Sequence, residues 1–353
     1  MSPHVSRRRT ALTVALLALA ASPAAARAQA FVPAKGEGAV TLVAHASRVT
    51  RHLTAVTSLD LGKIKSKGIT VDFSVGLGRK FGLSASVPFV TANYNGTRPH
   101  ALTPAEIAAV HPTFTNLDSD GAYHSALQDF RIDLRYNATV ARGIPITPFV
   151  SVIQPSHDYE YFAHVAAGRR LREVQVGVYA ARLLDPWLPR AFVQGRFAHG
   201  FIESVQGISR RRSVLTLEGG YFVRPTFRVF GIISGQITHG GVDTIVSPRA
   251  ELPLQLFIDH DRFGRENMLN VAAGLSHTLK QSIDVFATIS RTMTGINTHA
   301  QDYAVSVGAS FSFGLGKGRS ASGGAPTAGT AACHEEDIPG LAEQLARCVC
   351  VKK

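Results

Sequence analysis

Cysteine is almost missing from this chain. Of 353 residues only three are Cys, and Cys333, Cys348 and Cys350 all fall near the C-terminal end. The body of the protein therefore draws no stability from disulfides. Long apolar runs are missing as well. Beyond residue 30 no stretch reaches the roughly eighteen apolar residues of a membrane-spanning helix, so a chain that crosses a membrane must do so with strands. Also absent are a basic helix, zinc spacing and a stacking motif, which excludes nucleic acid as the expected partner despite a formal charge of +12. No nucleophile elbow, zinc helix or cofactor fingerprint occurs, so we expect no catalytic residues and no cofactor.

What is present begins with an address. The segment "SRRRT" is a basic n-region, "ALTVALLALA" an apolar h-region, and "ARA" or "AQA" a small-residue cleavage site before Phe31. Residues 1–30 are thus expected to be a cleaved Sec signal peptide. Arg7, Arg8 and Arg9 also permit a twin-arginine reading, which the following residues match poorly. Cleavage removes four Arg and no acid, lowering the charge from +12 to +8.

Residues 31–314 alternate. In "DFRIDLRY", Phe130, Ile132, Leu134 and Tyr136 share one face of a strand, while Asp129, Arg131, Asp133 and Arg135 share the other. About twelve such segments follow one another from "GAVTLVAHAS" to "DYAVSVGASFSF". "ITPFVSVIQ" is the weakest, because Pro148 removes a ladder hydrogen bond. Connections alternate too. Residues 51–67, 91–125, 155–171, 201–212, 241–267 and 292–301 read as long or polar loops, whereas "GRK", "ARGIP", "LDPWLP", "VRP" and "LKQ" are short. This is the pattern of a transmembrane antiparallel up-and-down β-barrel, with short periplasmic turns and longer extracellular loops. A soluble sandwich would not place six long loops at one end.

In such a barrel the charged face lines the interior, since an Arg facing lipid near the midplane costs roughly 2–4 kcal/mol. Parity then assigns Asp72, Asp129, Arg131, Asp133, Arg135, Glu173, Gln175, Gln194, Arg196, Glu218, Arg228, Gln236 and Asp284 to the lumen. Phe192, Phe222, Phe230 and Phe286 share that parity. The last strand turns Tyr303, Val305, Val307, Ala309, Phe311 and Phe313 outward, ending in aromatics as barrel-assembly machinery expects of a substrate.

Three smaller features remain. "TPAEIAAVH" is helical inside the longest loop, with Thr103 as N-cap, Pro104 at the first position and Glu106 at the third, and would constrict or cover the mouth. "HDY" (His157, Asp158, Tyr159) and "DHD" (Asp259, His260, Asp261) lie in predicted extracellular loops and read as solvated polar segments, with rim hydrolysis the alternative. After residue 314, a Gly/Ser/Pro linker (315–332) leads to a tail (333–353) with one short helix. An oxidising periplasm favours a disulfide from Cys333 to Cys348 or Cys350; a thiolate and imidazole metal site with His334 and Glu335 is the alternative.

The series "LSASVPFV", a long loop, "LQDFRIDLRY" and "ITPFVSVIQP" resembles the outer-membrane proteins of the "meta-pathway of phenol degradation" family over residues 65–313. The matching marks are Pro88-Phe89, then Asp129 and Tyr136; Gln128 and Phe130 stand where that pattern has Gly and Leu. The resemblance implies a barrel that passes hydrophobic or aromatic compounds across the outer membrane, and it transfers no catalytic residues. The sequence as a whole points to an outer-membrane channel or passive transporter whose partners are lipid, the assembly machinery and a small solute. A structural barrel holding a periplasmic partner through its tail is the alternative.

Overall fold

Alternation at a period of two makes every strand two-faced, and two-faced strands close into a cylinder when the outer face is apolar. The computed structural model describes residues 31–54, 57–96, 102–110, 118, 120–141, 144–243, 253–280 and 282–314. The signal segment, the linker and the tail with its three Cys lie outside the described residues. The strands are β1 (Glu37–Leu53), β2 (Ser58–Gly76), β3 (Phe81–Gly96), β4 (His124–Leu127), β5 (Phe130–Tyr136), β6 (Thr139–Ala141) and β7 (Ile144–Gln154). They continue with β8 (Glu173–Leu183), β9 (Ala191–Val205), β10 (Ile208–Arg224), β11 (Phe227–Gly240), β12 (Asn267–Lys280), β13 (Ile283–Ile296) and β14 (Thr298–Gly314). Helix α1 (Pro104–Val110) lies between β3 and β4, and α2 (Leu254–Phe263) between β11 and β12.

Pairing is antiparallel throughout, β3 pairing with β4 and β5 and β7 with β5 and β6, and β1 pairs with both β2 and β14, so the sheet closes on itself. The segments β4, β5 and β6 are pieces of one stave, giving a closed barrel of twelve staves. Closure leaves no edge of unpaired backbone groups to face lipid. The stave breaks have local causes. Pro148 of β7 lies opposite the gap between β5 and β6, where the neighbouring ladder makes no demand on the missing N–H. The first and last strands meet at one end, where Glu37 pairs with Gly314.

The outer surface is apolar. Leu42, Val71, Ile132, Leu134, Val150, Val152, Val174, Val176, Leu215, Leu217 and Ile289 are exposed, with Phe81, Tyr221, Phe201 and Tyr303 among the exposed aromatics toward the two rims. No helix among the described residues is long and apolar enough to cross a membrane. The chain is a transmembrane β-barrel.

Three of the six expected loops are not loops. Strands β1 and β2 run on until Leu53 pairs with Ser58, and β9 and β10 until Val205 pairs with Ile208. Gln206 (φ 52°) and Gly207 (φ 75°) make the latter a two-residue turn. Strands β13 and β14 are joined through Asn297 alone. Residues such as Lys63, Lys65, Arg51 and Arg211 are too polar for lipid and so read as loop. A ladder that continues above the apolar belt meets water on its outer face and tolerates them. The connections from β3 to β4, β7 to β8 and β11 to β12 all leave from the same end of the barrel; we call it the loop end and the other the turn end.

Candidate functional site

The interior is polar and charged along its length, with aromatic rings added at the turn end. Charged groups run along it from the loop end, at Glu173, to the turn end, at Arg135 and Asp284. Arg131 and Asp133 lie 3.4 Å apart, and Arg131 keeps 35% of its side-chain surface accessible although the wall encloses it. Asp72 lies near both in charge terms, and Arg135 is buried beside them. Glu173 takes Arg212 Nε at 2.9 Å, a second bond from Arg212 Nη2, and Gln175 Nε2 at 2.8 Å. Glu218 accepts from Gln194 Nε2 at 2.9 Å. Gln236 accepts from Arg212 Nη1 at 3.3 Å and donates to the Glu266 carbonyl at 3.3 Å. Asp284 accepts from Thr278 Oγ1 at 2.6 Å. Asp129 sits at the break between β4 and β5, where it accepts the Tyr159 hydroxyl and so ties the loop 155–172 to the wall.

Toward the turn end the wall turns aromatic. Phe149, Phe192, Phe230 and Phe286 each lay a ring over a glycine of the next strand: Gly177, Gly220, Gly274 and Gly308. A Cβ built on any of these glycines would fall within 2.6 Å of the ring. Glycine here is a seat for the ring, since any side chain at the position would collide with it. Arg228 stands 5.6 Å from the Phe192 centroid and 5.5 Å from that of Phe230. Phe192 and Phe222 pack at 5.5 Å. Arg196 stands 4.8 Å from the Phe149 centroid and 5.7 Å from that of Tyr179. Phe149 escaped the parity reading because both faces of "ITPFVSVIQ" carry apolar residues, whereas Tyr179 shares the inward parity of Glu173 and Gln175 on β8 and was legible by that count. Arg212 shares the inward register of Glu218 and was legible by the same count.

The loop end is covered. Leu102, Tyr161, Phe162, Ala163, Val165, Phe257 and Ile258 from three loops form one apolar cluster with Ile64, Ala92 and Tyr94 of the wall. Helix α1 has the expected capping box: Glu106 N bonds Thr103 Oγ1 at 3.3 Å, and Thr103 N bonds Glu106 Oε2 at 2.9 Å. With Leu102 buried in the cluster, the loop that carries α1 covers the mouth. Helix α2 was missed. Its i, i+3, i+4 apolar spacing at Leu254, Phe257 and Ile258 was the available signal.

Helix α2 also overturns the solvated reading of "DHD". Asp259 is 1% exposed and accepts from Gln206 Nε2 at 2.9 Å, Gln255 Nε2 at 2.8 Å and Arg262 Nη1 at 2.8 Å. Burial alone would raise its carboxyl, but these bonds and the Arg262 charge outweigh it and hold the group below the usual carboxylate range. Arg262 lies 4.1 Å over the Tyr161 ring and donates to the Arg169 and Arg170 carbonyls at 3.1 and 3.2 Å. Burial and the Asp259 charge push the Tyr161 phenol up to about 12. Arg169 pairs with Glu266 at 2.8 Å, and His164 Nδ1 meets Asp118 Oδ2 at 2.6 Å.

A rim active site is not assembled from the named groups. His157 Nδ1 lies 2.9 Å from Ser156 Oγ, but that hydroxyl donates to the Leu127 carbonyl at 2.8 Å. The imidazole is therefore the donor to Ser156, the reverse of a general base. Asp158 pairs with Arg170, and His260 packs between Phe162 and Phe257 with Asp261 at 3.5 Å. Among the described residues no group of three His, Cys, Asp or Glu is placed to hold a metal ion.

No protein-family model matches the chain, and no curated protein matches it. Solved structures do. An outer membrane channel from Pseudomonas putida F1 is similar over 83% of this chain and 99% of its own, at 12% identity and a TM-score of 0.59. The translocator domain of the autotransporter NalP from Neisseria meningitidis follows at 11% identity and TM-score 0.45, covering 87% of this chain and 95% of its own. The KdgM porin has 10% identity and TM-score 0.38 over 78% of this chain and 99% of its own. At 12% identity the likeness to the first is one of fold.

Proposed function

We propose that this chain is an outer-membrane channel or passive transporter for small solutes. The observation that carries this reading is the closed barrel with a lipid-compatible exterior and an interior of polar and charged groups, some of which, like Arg131, remain accessible. A solute moving down its own gradient needs such a wetted path and no energy-coupling element. The resemblance to the phenol-degradation family and the inward Phe rings seated on glycines support a hydrophobic or aromatic solute. The apolar cover at the loop end makes the described arrangement a closed one, so conduction requires the cover to move.

The test is single-channel conductance of the mature protein in a planar bilayer, with and without residues 315–353. Discrete openings are expected, and a change on truncation would give the tail a gating role. Silence from barrel that is folded by heat-modifiable migration would overturn the channel reading. It would favour the second one, a structural barrel with a periplasmic partner, which the Arg131–Asp133 and Arg212–Glu173 pairs and the covered mouth also suit.

A further inference from the structure

One aromatic ring inside the barrel does not come from the wall. Phe31 packs against the buried trio Phe149, Tyr179 and Ala198. The segment behind it enters at the turn end over two glycines. A Cβ on Gly82 would fall 3.0 Å from Val32 Cγ1, and one on Gly76 would fall on the Pro33 and Ala34 carbonyls. Backbone bonds then fix the segment, Gly36 N to Gly76 O and Glu37 N to Ala34 O, each at 2.9 Å. The N-terminal segment thus has a built seat, and the seat holds a phenyl ring.

The surroundings of that ring are cationic. Phe149 and Tyr179 pack at 4.7 Å between centroids, with the Arg196 guanidinium over Phe149. Arg196 commits Nε to the Tyr179 hydroxyl at 3.2 Å and Nη2 to Gln175 Oε1 at 2.7 Å, which leaves donors to spare among its five. Among the described residues no carboxylate lies within 4.0 Å of it. Glu173, the nearest acid along the bond network, is taken up by Arg212. Arg135 is the register partner of Phe149 on the other side, and Arg131 and Arg135 both act electrostatically on Tyr179. Asp133 offsets one of these three charges. An aromatic slot beside a planar cation that has no carboxylate partner among the described residues fits a planar anion with a ring.

We propose that Phe149, Tyr179 and Arg196 form a binding site for a small aromatic monocarboxylate inside the barrel, and that Phe31 fills its ring position as a tethered plug. The carboxylate takes the spare Arg196 donors that Phe31 leaves unused, so the solute replaces the plug with a ring and adds an ion pair. Signal cleavage before Phe31 would leave the plug held at one end only, free to swing out. This deepens the channel reading and rests on it for its role in transport.

The test is calorimetric titration of benzoate into the folded mature barrel, with cyclohexanecarboxylate and benzylamine as the ring and charge controls. Phe31→Ala is expected to tighten benzoate about tenfold by removing the competitor, since a seated phenyl ring is worth at least that factor. Arg196→Gln should abolish binding, with Arg196→Lys recovering part of it, and heat-modifiable migration confirms that each variant is folded. Equal benzoate affinity in Phe31→Ala and the parent would overturn the proposal, as would equal binding of cyclohexanecarboxylate. Benzoate binding to a barrel that never conducts would keep the site and sink the channel.

Discussion

Replacing Glu173 and Arg212 singly and together tests the interior most directly. The Glu173 side chain is 4% accessible and that of Arg212 is 27%, so the two partners stand to lose different amounts. Arg212→Met strands a buried carboxylate that keeps one bond, from Gln175, and should cost about 3 kcal/mol, the low end for breaking a buried pair. Glu173→Gln strands a cation that lumen water can partly solvate, and should cost about 2 kcal/mol. The double variant leaves neither charge stranded. Its cost should fall short of the sum by about 2 kcal/mol, the coupling expected of a bidentate pair in a shielded site. Equilibrium urea unfolding in lipid vesicles reads these values, followed by the fluorescence of Trp187, the only tryptophan. A coupling below about 0.5 kcal/mol, the scatter of sites that do not touch, would refute the inward pairing of these two residues.

Leu134→Arg, on the exposed outer face, should destabilise the barrel by roughly 2–4 kcal/mol in the same assay; a neutral outcome would mean that this face does not meet lipid. Ile258→Ala, at a site 1% exposed in the cover, should loosen the loops by about 2–5 kcal/mol. Faster proteolysis near residues 253–266 and more frequent channel openings, with unchanged barrel migration, are the expected signs. Acid should act on the same element. The folded carboxyl of Asp259 is depressed, so its contribution to the cover is complete above the unfolded value of about 4 and is lost as pH falls through the lower folded value. Loop proteolysis should therefore rise below about pH 4 in the parent, and Asp259→Asn should flatten that response while weakening the cover at neutral pH. Thr103→Ala removes the cap of α1 and should speed amide exchange at Glu106 by the equivalent of about 1 kcal/mol.

The barrel was legible because its strongest constraint is periodic. An apolar residue at every second position, as in "FRIDLRY", separates a lipid face from an interior face without knowledge of any neighbour. Even the split of one stave has a sequence mark in Pro148. The cover was less legible, since it is held by contacts between loops far apart in the chain. Thr103 and Glu106 announced α1 by local chemistry, but nothing near Asp259 in sequence announces Gln206 as its partner. Nor does composition reveal that polar strand ends such as Lys63 to Lys67 stay in the ladder. The wall aromatic Phe149 failed differently. It sits on a strand whose two faces are both apolar, so parity gives no choice until the register with β8 places it opposite Gly177, on the face that Glu173, Gln175 and Tyr179 share.

Wall and cover differ in what holds them, and that difference decides which can move. Each stave is locked to two neighbours by a continuous backbone ladder, and removing any piece of it would expose unpaired amides to lipid at several kcal/mol each. The cover has no such ladder. Its loops are held mostly by side chains: Tyr159 on Asp129 of the wall, Arg169 on Glu266 and Arg262 on the Arg169 and Arg170 carbonyls between loops, and one apolar cluster shared with the wall. Each of these opens into water, where the freed polar groups are solvated again and cost on the order of 1 kcal/mol apiece. The N-terminal segment at the opposite end is held to the wall by two backbone bonds and the packing of Phe31. The loop cover and the N-terminal segment can therefore move at energies that leave the twelve staves intact, whereas the Arg212–Glu173 pair cannot part without stranding a charge. On the proposed channel reading, control of passage would therefore belong to the ends of the barrel, and selection among solutes to the fixed residues between them.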